Sequence, residues 1–367
     1  MASCKNNFFF PLFSDTSLSL SYWVPAFLAS ASVLLLLLSL APFNRPFDTR
    51  LEIRAPMVAS GAIKAFDSRL AENSSGGIDG CDIFDGRWVE DGSGPLYAPG
   101  SCPFIDDSFD CFKNGRPDSE FVRLRWRPRG CAIPRCAASE FTLIIFLFSV
   151  SDYNCSIEFF RSPFLVQEWE TKEGKETLRL DVIDQASSDK YRNADFIVFN
   201  TGHWWTHEKT SLGKGYYQEG KHVHDTLSVV EAYARALHTW ANWVDSSIRP
   251  NLTRVFFRGF SATHFKGGQW NSGGSCNGET QPIYNDTQLG RYPKMMSILE
   301  ETIGGMQTPV YYLNITRMSD YRKDGHPSVF RHPQKGELRG QDCSHWCLPG
   351  VPDAWNELLY AAITSHH

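Results

Sequence analysis

The sequence lacks the cysteine spacing of zinc ribbons and the excess of basic residues of nucleic-acid-binding proteins. It contains ten cysteines, but no two have the Cys-x-x-Cys spacing of a zinc ribbon, so we expect no metal site. Its net charge is −5, with 36 Lys and Arg against 41 Asp and Glu, which leaves no large basic face for nucleic acid. What is present is a globular composition with 42% hydrophobic residues and 11 tryptophans. The tryptophans suit a hydrophobic core, and they equally suit a protein that stacks on sugar rings.

Sequons and cysteines together indicate the secretory pathway. Nine of the ten cysteines lie at or after Cys81. Five Asn-x-Ser/Thr triplets begin at Asn73, Asn154, Asn251, Asn285 and Asn314. Because disulfides and N-glycans both form in the lumen of that pathway, we predict a glycoprotein with disulfide bonds.

One hydrophobic run is long enough to cross a bilayer. Residues 22–43 carry no charge, and a helix that rises ~1.5 Å per residue spans a ~30 Å hydrocarbon core over such a length. A cleaved signal peptide is the alternative, but the run is longer than a usual signal core, starts late and lacks a following small-x-small site. We therefore predict a signal anchor.

The charges beside this run predict one orientation in the membrane, and the cysteines and sequons of the rest of the chain predict the opposite one. Only Lys5 precedes it, whereas three arginines follow it between residues 45 and 54, and the positive-inside rule alone would put the C-terminus in the cytosol. The cysteines and sequons concern the whole large domain, whose translocation depends only weakly on nearby charge, and we follow them. The prediction is a single-pass type II protein with residues 1–21 as cytosolic tail and residues 44–78 as linker.

Alternating strand and helix patterns predict the fold class. Residues 79–134 are rich in Cys, Gly, Pro and Trp, which predicts a loop-rich subdomain held by disulfides. In residues 135–367, apolar runs typical of strands alternate with segments that have the apolar periodicity of helices. The predicted strands are 141–148, 195–199, 254–258 and 309–315, and the predicted helices are 225–244, 292–303 and one that begins at Pro352. This alternation favours a parallel sheet between two layers of helices, an α/β fold.

The strongest local signal for chemistry is the run Asp-Cys-Ser-His-Trp-Cys at residues 342–347. In a serine-type acyl-transfer site a carboxylate holds the imidazole in one tautomer and stabilises the imidazolium that forms. A spacing of three residues on a tight loop allows Asp342 and His345 to pair in this way. Disulfides from the two flanking cysteines would hold the loop rigid. The alternative is a structural loop with a surface histidine.

Two further loops follow predicted strands, where α/β folds place their ligands. The loop 200–205, Asn-Thr-Gly-His-Trp-Trp, offers donors for an oxyanion hole. The Gly-rich block 258–276 leaves the next strand. The candidate oxyanion and substrate residues are Asn200, Gly202, His203, Arg258 and His264. Turns with aromatic packing are the alternative for each loop.

Taken together, these blocks resemble the plant trichome-birefringence-like (PC-esterase) family of cell-wall polysaccharide O-acetyltransferases. The resemblance includes the N-terminal anchor and covers residues 81–135 and 152–367. Its motifs are Cys-Asp-Ile-Phe-Asp-Gly-Arg-Trp-Val at 81–89, Arg-Trp-Arg-Pro at 125–128 with Cys131, Asp-Tyr-Asn at 152–154, Ser-Pro-Phe-Leu-Val at 162–166, Gly-His-Trp-Trp at 202–205, the 258–276 block and the 342–345 motif.

The resemblance implies a fold similar to the SGNH hydrolases, a three-layer α/β/α sandwich, with residues 79–134 as a Cys-rich N-terminal subdomain and residues 135–367 as the acyltransferase domain. It also implies residence in the Golgi membrane and transfer of acetyl groups to xylan, mannan, xyloglucan or pectin. In such a family a serine forms the acyl-enzyme, His345 would move the proton, and Asp342 would orient His345. The acetyl donor, with acetyl-CoA as the candidate, is a co-substrate, and no bound cofactor is implied.

The chain departs from the family at the nucleophile. The family carries Gly-Asp-Ser at the end of its first core strand, and this sequence contains no Gly-Asp-Ser. Residues 136–151 stand where the family has a much longer segment, so we expect an incomplete core and at least one unpaired cysteine, Cys102 or Cys136. Three explanations stay open: a splicing or gene-prediction artefact, an isoform without activity, or another serine as nucleophile, with Ser261 and Ser139 the nearest.

Three functions stay open with them. The first is a polysaccharide O-acetyltransferase by descent. The second is an inactive isoform that binds wall polysaccharide. The third is an acetyl-esterase, in which water takes the place of the sugar hydroxyl.

Overall fold

The computed structural model describes residues 6–8, 80–103, 105–133, 155–170, 174–331 and 340–364. The strands are β1 Asn6–Phe8, β2 Gly86–Glu90, β3 Leu124–Pro128, β4 Cys155–Ile157, β5 Val166–Glu170, β6 Glu176–Ile183, β7 Phe196–Asn200, β8 Tyr217–Glu219, β9 His222–Val223, β10 Arg254–Arg258 and β11 Val310–Leu313. The α-helices are α1 Gln185–Tyr191, α2 Val229–Ser247, α3 Lys294–Gly304, α4 Thr316–Asp320 and α5 Val351–Thr364. The predicted membrane segment, linker and strand 141–148 lie outside these ranges. In the part of the chain that is described, no helix is both long and apolar enough to cross a bilayer.

A parallel sheet of β11, β10 and β7 lies at the centre of the described domain. Its residues alternate between two cores. Val255 and Phe257 of β10 belong to one core together with α2 and α3, whereas Phe256 belongs to the other together with α4 and α5. Helices therefore cover both faces of the sheet. The predicted three-layer α/β/α arrangement of an SGNH-like fold is confirmed.

The helices and strands that the sequence predicts for this sandwich within the described residues are present, with small shifts at their ends. Strand β10 has the predicted bounds. Helix α2 begins at Val229 instead of residue 225, because the Ser228 hydroxyl caps the helix by accepting the Glu231 N–H at 3.2 Å. The residue before the cap is bonded elsewhere, since the Leu227 N–H donates to Gly213 O at 3.0 Å.

The Cys-rich stretch forms the predicted small subdomain. Strands β2 and β3 make an antiparallel ribbon, and the disulfide Cys81–Cys131 joins the segment before β2 to the segment after β3. The ribbon packs on the sandwich, where the Trp88 indole donates to Met318 O in α4 at 2.7 Å. The subdomain is thereby attached to the helix layer that also contains α5.

Two smaller sheets complete the described structure. One has the order β5–β6–β8–β9 and packs against α2. In the other, β1 pairs in parallel with β4, and β1 also contacts β7. The cytosolic tail 1–21 stays a prediction.

Candidate active site

The loop that carries Asp342 and His345 is fixed at several points. Two disulfides hold it, Cys276–Cys343 and Cys111–Cys347. The first ties the loop to the Gly-rich block, and the second ties it to the N-terminal subdomain. The backbone of Asp342 also exchanges two hydrogen bonds with Ser328, at 2.8 and 3.0 Å. The loop therefore has the rigidity that a catalytic base needs.

Asp342 and His345 form the hydrogen-bonded pair that the motif predicts. The His345 Nδ1–H donates to Asp342 Oδ2 at 2.7 Å, and the backbone N–H groups of His345 and Ser344 donate to Oδ1 at 2.9 and 3.1 Å. Nδ1 carries the proton, so Nε2 is the nitrogen that can accept one. Burial alone would raise the pKa of Asp342, but the His345 charge and these hydrogen bonds outweigh it and hold that pKa well below its usual range. The pair is thus an ionised carboxylate with an oriented base.

Asn200 and Arg258 lie side by side at the carboxyl ends of β7 and β10. The Arg258 guanidinium lies 5.0 Å from the centre of the Trp355 ring in α5. Within the described residues, Asn200 Oδ1 and Arg258 Nη1 are buried atoms without a hydrogen-bond partner. Burial lowers the pKa of Arg258 to about 10. A buried cation in this position is suited to an oxyanion or another anionic group.

His203 and Ser261 contact each other and so link the loops that follow β7 and β10. His203 Nε2 lies 3.0 Å from Ser261 O and 3.2 Å from Ser261 Oγ, and the Trp346 indole donates to the same hydroxyl at 3.3 Å. The Phe260 ring stacks on His203, with ring centroids 4.2 Å apart. Burial and the Arg258 charge lower the pKa of His203 to about 3, so this ring is neutral. This bonding gives the buried Ser261 a structural role between two loops.

His264 lies beside the loop 342–347, called the catalytic loop below, and contacts a second histidine, His326, which is not among the predicted site residues. The His264 backbone N–H donates to Cys343 O at 3.0 Å, and His264 Nδ1 lies 2.6 Å from His326 Nε2. The two histidines are 62 residues apart, so no spacing pattern could reveal this contact. Gly202, the last candidate, has a φ of 137°, a conformation that favours glycine, and leads the chain into His203.

The remaining sequence predictions concern cysteine and serine. Cys102 is buried and forms no disulfide in the described structure, which agrees with the expectation that Cys102 or Cys136 is unpaired. Cys136 itself lies outside the described residues. The same is true of Ser139, one of the two alternative nucleophiles.

Two family models together match most of the chain. Residues 140–362 match PC-Esterase, described as the GDSL/SGNH-like acyl-esterase family found in Pmr5 and Cas1p. Residues 79–132 match the PMR5 N terminal domain.

Relatives from Arabidopsis thaliana are similar over the same parts. The chain is 44% identical to Protein trichome birefringence-like 4 over 414 residues, which cover 96% of this chain and 90% of that protein. It is 49% identical to Protein trichome birefringence over 80% of this chain, and 48% identical to Protein trichome birefringence-like 1 over 77%. The chain spans 57% and 61% of the length of these last two proteins. The first alignment is longer than the 367-residue chain itself, so that relative contains residues that this chain lacks.

Proposed function

The chain belongs to the PC-esterase, trichome-birefringence-like family, and from this premise we propose that it is by descent an O-acetyltransferase of plant cell-wall polysaccharides. The observation that carries the proposal is the 2.7 Å hydrogen bond from His345 Nδ1 to Asp342. Such a pair is the acid–base half of a Ser-His-Asp triad. The sequence has no Gly-Asp-Ser to supply the serine. We therefore propose that the chain in its present form does not transfer acetyl groups.

The retained pair would serve both halves of an acyl transfer. In the first half, a serine Oγ bonds to the acetyl carbon, its proton moves to His345 Nε2, and that proton passes to the leaving group as the bond to the donor breaks. In the second half, a sugar hydroxyl gives its proton to His345 Nε2 while it attacks the acyl-enzyme, and the serine oxygen regains a proton as it leaves. Asp342 stays ionised and stabilises the imidazolium in each half.

Arg258 and Asn200 suit different parts of this reaction. Arg258 Nη1 is a buried donor at the strand end, and we assign it to the oxyanion of the tetrahedral intermediate. Loss of one oxyanion donor lowers kcat by about 10²- to 10³-fold in acyl-transfer enzymes. Asn200 Oδ1 is an acceptor, so it suits an N–H or hydroxyl donor from a neighbouring segment or from the sugar.

Two tryptophans on the loops that follow β7 and β10 support a polysaccharide as acceptor. Trp204 lies on the loop after β7, and Trp270, which is 51% exposed, lies on the Gly-rich block. The Lys209 ammonium lies 3.8 Å from the centre of the Trp204 ring and 5.5 Å from that of Trp270, which brings the two indoles to one surface. The exposed indole of Trp270 can stack on the apolar face of a sugar ring. Xylan, mannan, xyloglucan and pectin are the acceptors to test.

Two other functions have a specific observation in their favour. An isoform that binds wall polysaccharide without catalysis is favoured by the same tryptophan surface together with the missing serine motif. An acetyl-esterase, in which water accepts the acyl group, is favoured by the description of the family as acyl-esterases.

Restoration of the missing segment tests the acetyltransferase proposal. Residues 136–151 are replaced by the corresponding segment, with Gly-Asp-Ser, from a trichome-birefringence-like relative. This variant is called the restored chain below. With acetyl-CoA and oligomers of the four polysaccharides, we expect acetylated oligomer from the restored chain and none from the unaltered chain. Replacement of the introduced serine by Ala, or His345→Ala, should abolish the product. A restored chain that is folded but acetylates none of the oligomers would contradict the proposal.

The same samples separate the other two functions. Release of acetate without acetylated oligomer identifies an esterase. Binding of oligomers by the unaltered chain in calorimetry, with loss of binding in Trp270→Ala, identifies a binding isoform. The exposed Trp169, which lies on β5, provides the matched control Trp169→Ala.

The proposal includes a place in the cell. We propose that residues 22–43 anchor the protein in the Golgi membrane and that the domain lies in the lumen. Asn251 and Asn285, both exposed, are then expected to carry N-glycans. In intact vesicles the domain should resist added protease and become sensitive when detergent opens them. Digestion without detergent would contradict this topology.

A further inference from the structure

A row of polar contacts runs from Asp320 through two histidines to the main chain of His345. His264 Nε2 lies 2.9 Å from Asp320 O and 3.4 Å from Asp320 Oδ1. His264 Nδ1 lies 2.6 Å from His326 Nε2, and His326 Nδ1 lies 2.5 Å from His345 O. The row is separate from the side-chain bond between His345 and Asp342. It is therefore a second connection to the catalytic base.

The first histidine from the base, His326, is neutral with its proton on Nδ1. A carbonyl oxygen only accepts hydrogen bonds, so the contact with His345 O requires a proton on Nδ1. The ring is 2% exposed and lies against the Trp346 indole, with centroids 4.1 Å apart. Burial and the neighbouring His264 lower the pKa of His326 to about 3, which excludes a second proton near neutral pH. His326 Nε2 is therefore an acceptor.

The second histidine, His264, must carry both of its protons. Since His326 Nε2 accepts, His264 Nδ1 donates. His264 Nε2 faces the main-chain oxygen of Asp320, which also only accepts. With two donors the ring is an imidazolium, and its side chain is only 10% exposed, so it needs a counter-ion. The Asp320 carboxylate supplies it, and its Oδ2 is fixed by the Gly290 N–H at 2.6 Å.

We propose that the Asp320–His264 ion pair, acting through His326, is a positioning group for the base His345. The inference rests on the proposed function of His345. Asp342 fixes the ring of His345, and the hydrogen bond from His326 fixes its main chain. If His264 lost a proton, one of its two hydrogen bonds would break. His326 could then adopt its other tautomer, and His345 O would lose its donor.

The charged groups around this row come from several segments, among them the N-terminal subdomain, whose Arg116 Nη1 donates to His326 O at 2.9 Å. Asp342 and His345 on the catalytic loop act on His326 in opposite directions, since the carboxylate favours its protonation and the His345 charge opposes it. Asp320 at the end of α4 faces His264. Lys323, in the turn between Asp320 and His326, is paired with Glu279 at 2.5 Å.

The protonation of His264 tests the proposal on the full-length chain without any need for acyl transfer. In protein labelled with 15N-histidine, we expect protons on both ring nitrogens of His264 at pH 7 and on Nδ1 alone of His326. Asp320→Asn keeps the size of the side chain but removes its charge, and His264 should lose one proton at pH 7. Asp286→Asn, which removes a carboxylate that pairs with Arg317, is the control and should leave both protons in place. A neutral His264 in the unaltered chain would overturn the proposal, whatever the variants do.

A kinetic measurement distinguishes positioning from folding alone. In the restored chain, Asp320→Asn should lower kcat by about 10- to 100-fold at pH 7 through misplacement of His345, with little change in KM. A kcat equal to that of the Asp286→Asn control at pH 7 would overturn the positioning role. If the restored chain has no activity at all, the proposed function fails, and the 15N measurement still decides on the ion pair.

Discussion

The loop that carries His345 and the strand ends that carry Asn200 and Arg258 meet at one edge of the sheet, but their polar atoms are bonded to different extents. Asp342 accepts three N–H bonds of 2.7 to 3.1 Å, and two disulfides hold its loop. At the strand ends, Asn200 Oδ1 and Arg258 Nη1 have no partner within the described ranges. Buried polar groups in folded proteins are nearly always bonded, so these exceptions need an explanation.

Under the proposed function, this difference indicates which half of an acyl-transfer site the chain retains. The base has its orienting carboxylate, its crosslinked loop and the row of histidines behind it. The strand ends lie where an α/β sheet receives loops from neighbouring strands. The sequence lacks the Gly-Asp-Ser motif of one such loop. Unbonded donors and acceptors at that place are what the loss of a neighbouring segment would leave.

The largest expected effect comes from a change in the well-bonded half. In the restored chain, Asp342→Asn should lower kcat by about 10⁴-fold, because the amide favours the wrong tautomer of His345. Ser344→Ala removes a hydroxyl that donates to the same carboxylate at 3.2 Å and is the control. Acetyl-transfer rates measure both. Similar rates for the two variants would contradict the assigned roles of Asp342 and His345.

Two buried arginines, Arg322 and Arg258, test whether a bonded and an unbonded charge differ in their contribution to stability. Each has a buried Nη1 without a hydrogen-bond partner, but Arg322 is also bonded to Asp324 at 2.9 and 3.0 Å, whereas Arg258 forms no ion pair with any described residue. Because removal of one partner leaves the other charge buried alone, Arg322→Met should lower the free energy of unfolding by about 3–5 kcal/mol. Arg258→Met removes a buried donor without a partner and should raise that free energy by about 1–3 kcal/mol. Urea denaturation of the unaltered chain and both variants measures the difference.

The same pair of variants can refute the comparison. If Arg258→Met loses as much stability as Arg322→Met, then Arg258 has a partner outside the described residues. The strand-end half of the site would then be complete, and the contrast with the catalytic loop would disappear.

A smaller effect on stability is expected from the difference between two buried carboxyl groups, those of Asp342 and Asp353. Asp342 is held ionised by several donors. Asp353 accepts the Gly350 N–H at 2.7 Å, but burial and the Glu357 charge raise its pKa to about 7. The folded state therefore keeps a proton that the unfolded chain releases near pH 4. This contribution to stability is complete below about pH 4 and is lost as the pH rises towards about 7.

Asp353→Asn should remove this pH dependence. The free energy of unfolding of the variant relative to that of the unaltered chain should rise from pH 4 to pH 7 in urea denaturation. Asp189→Asn, at a site whose side chain is 64% exposed, is the control and should show no such trend. A constant difference between Asp353→Asn and the unaltered chain would contradict a raised pKa.

The sequence was sufficient to predict those features that depend on local pattern. Strand β10 could be predicted because its three middle residues, 255–257, are buried on both faces of the sheet and form a short apolar run. The Asp342–His345 pair could be predicted because its two members are only three positions apart in the sequence. The start of α2 was missed, although Ser228 and Glu231 form the Ser-x-x-Glu signal of a helix N-terminus.

Features that depend on distant parts of the chain could not be predicted. The disulfide Cys111–Cys347 joins residues 236 positions apart, and cysteine connectivity does not follow from cysteine count. The contact of His264 with His326 likewise arises only when the Gly-rich block and the turn after α4 pack against the catalytic loop. Whether Arg258 Nη1 has a hydrogen-bond partner depends on the residues around it, and these residues are not part of β10.

The central claim is that this chain retains the base and lacks the nucleophile. Its most direct test is the mass of the intact protein after a reaction with acetyl-CoA has been rapidly quenched. The account predicts that the unaltered chain keeps its mass. The restored chain should gain one acetyl group, which should be absent when the introduced serine is replaced by Ala. An acetyl group on a serine of the unaltered chain, with Ser261 as the first candidate, would contradict the account.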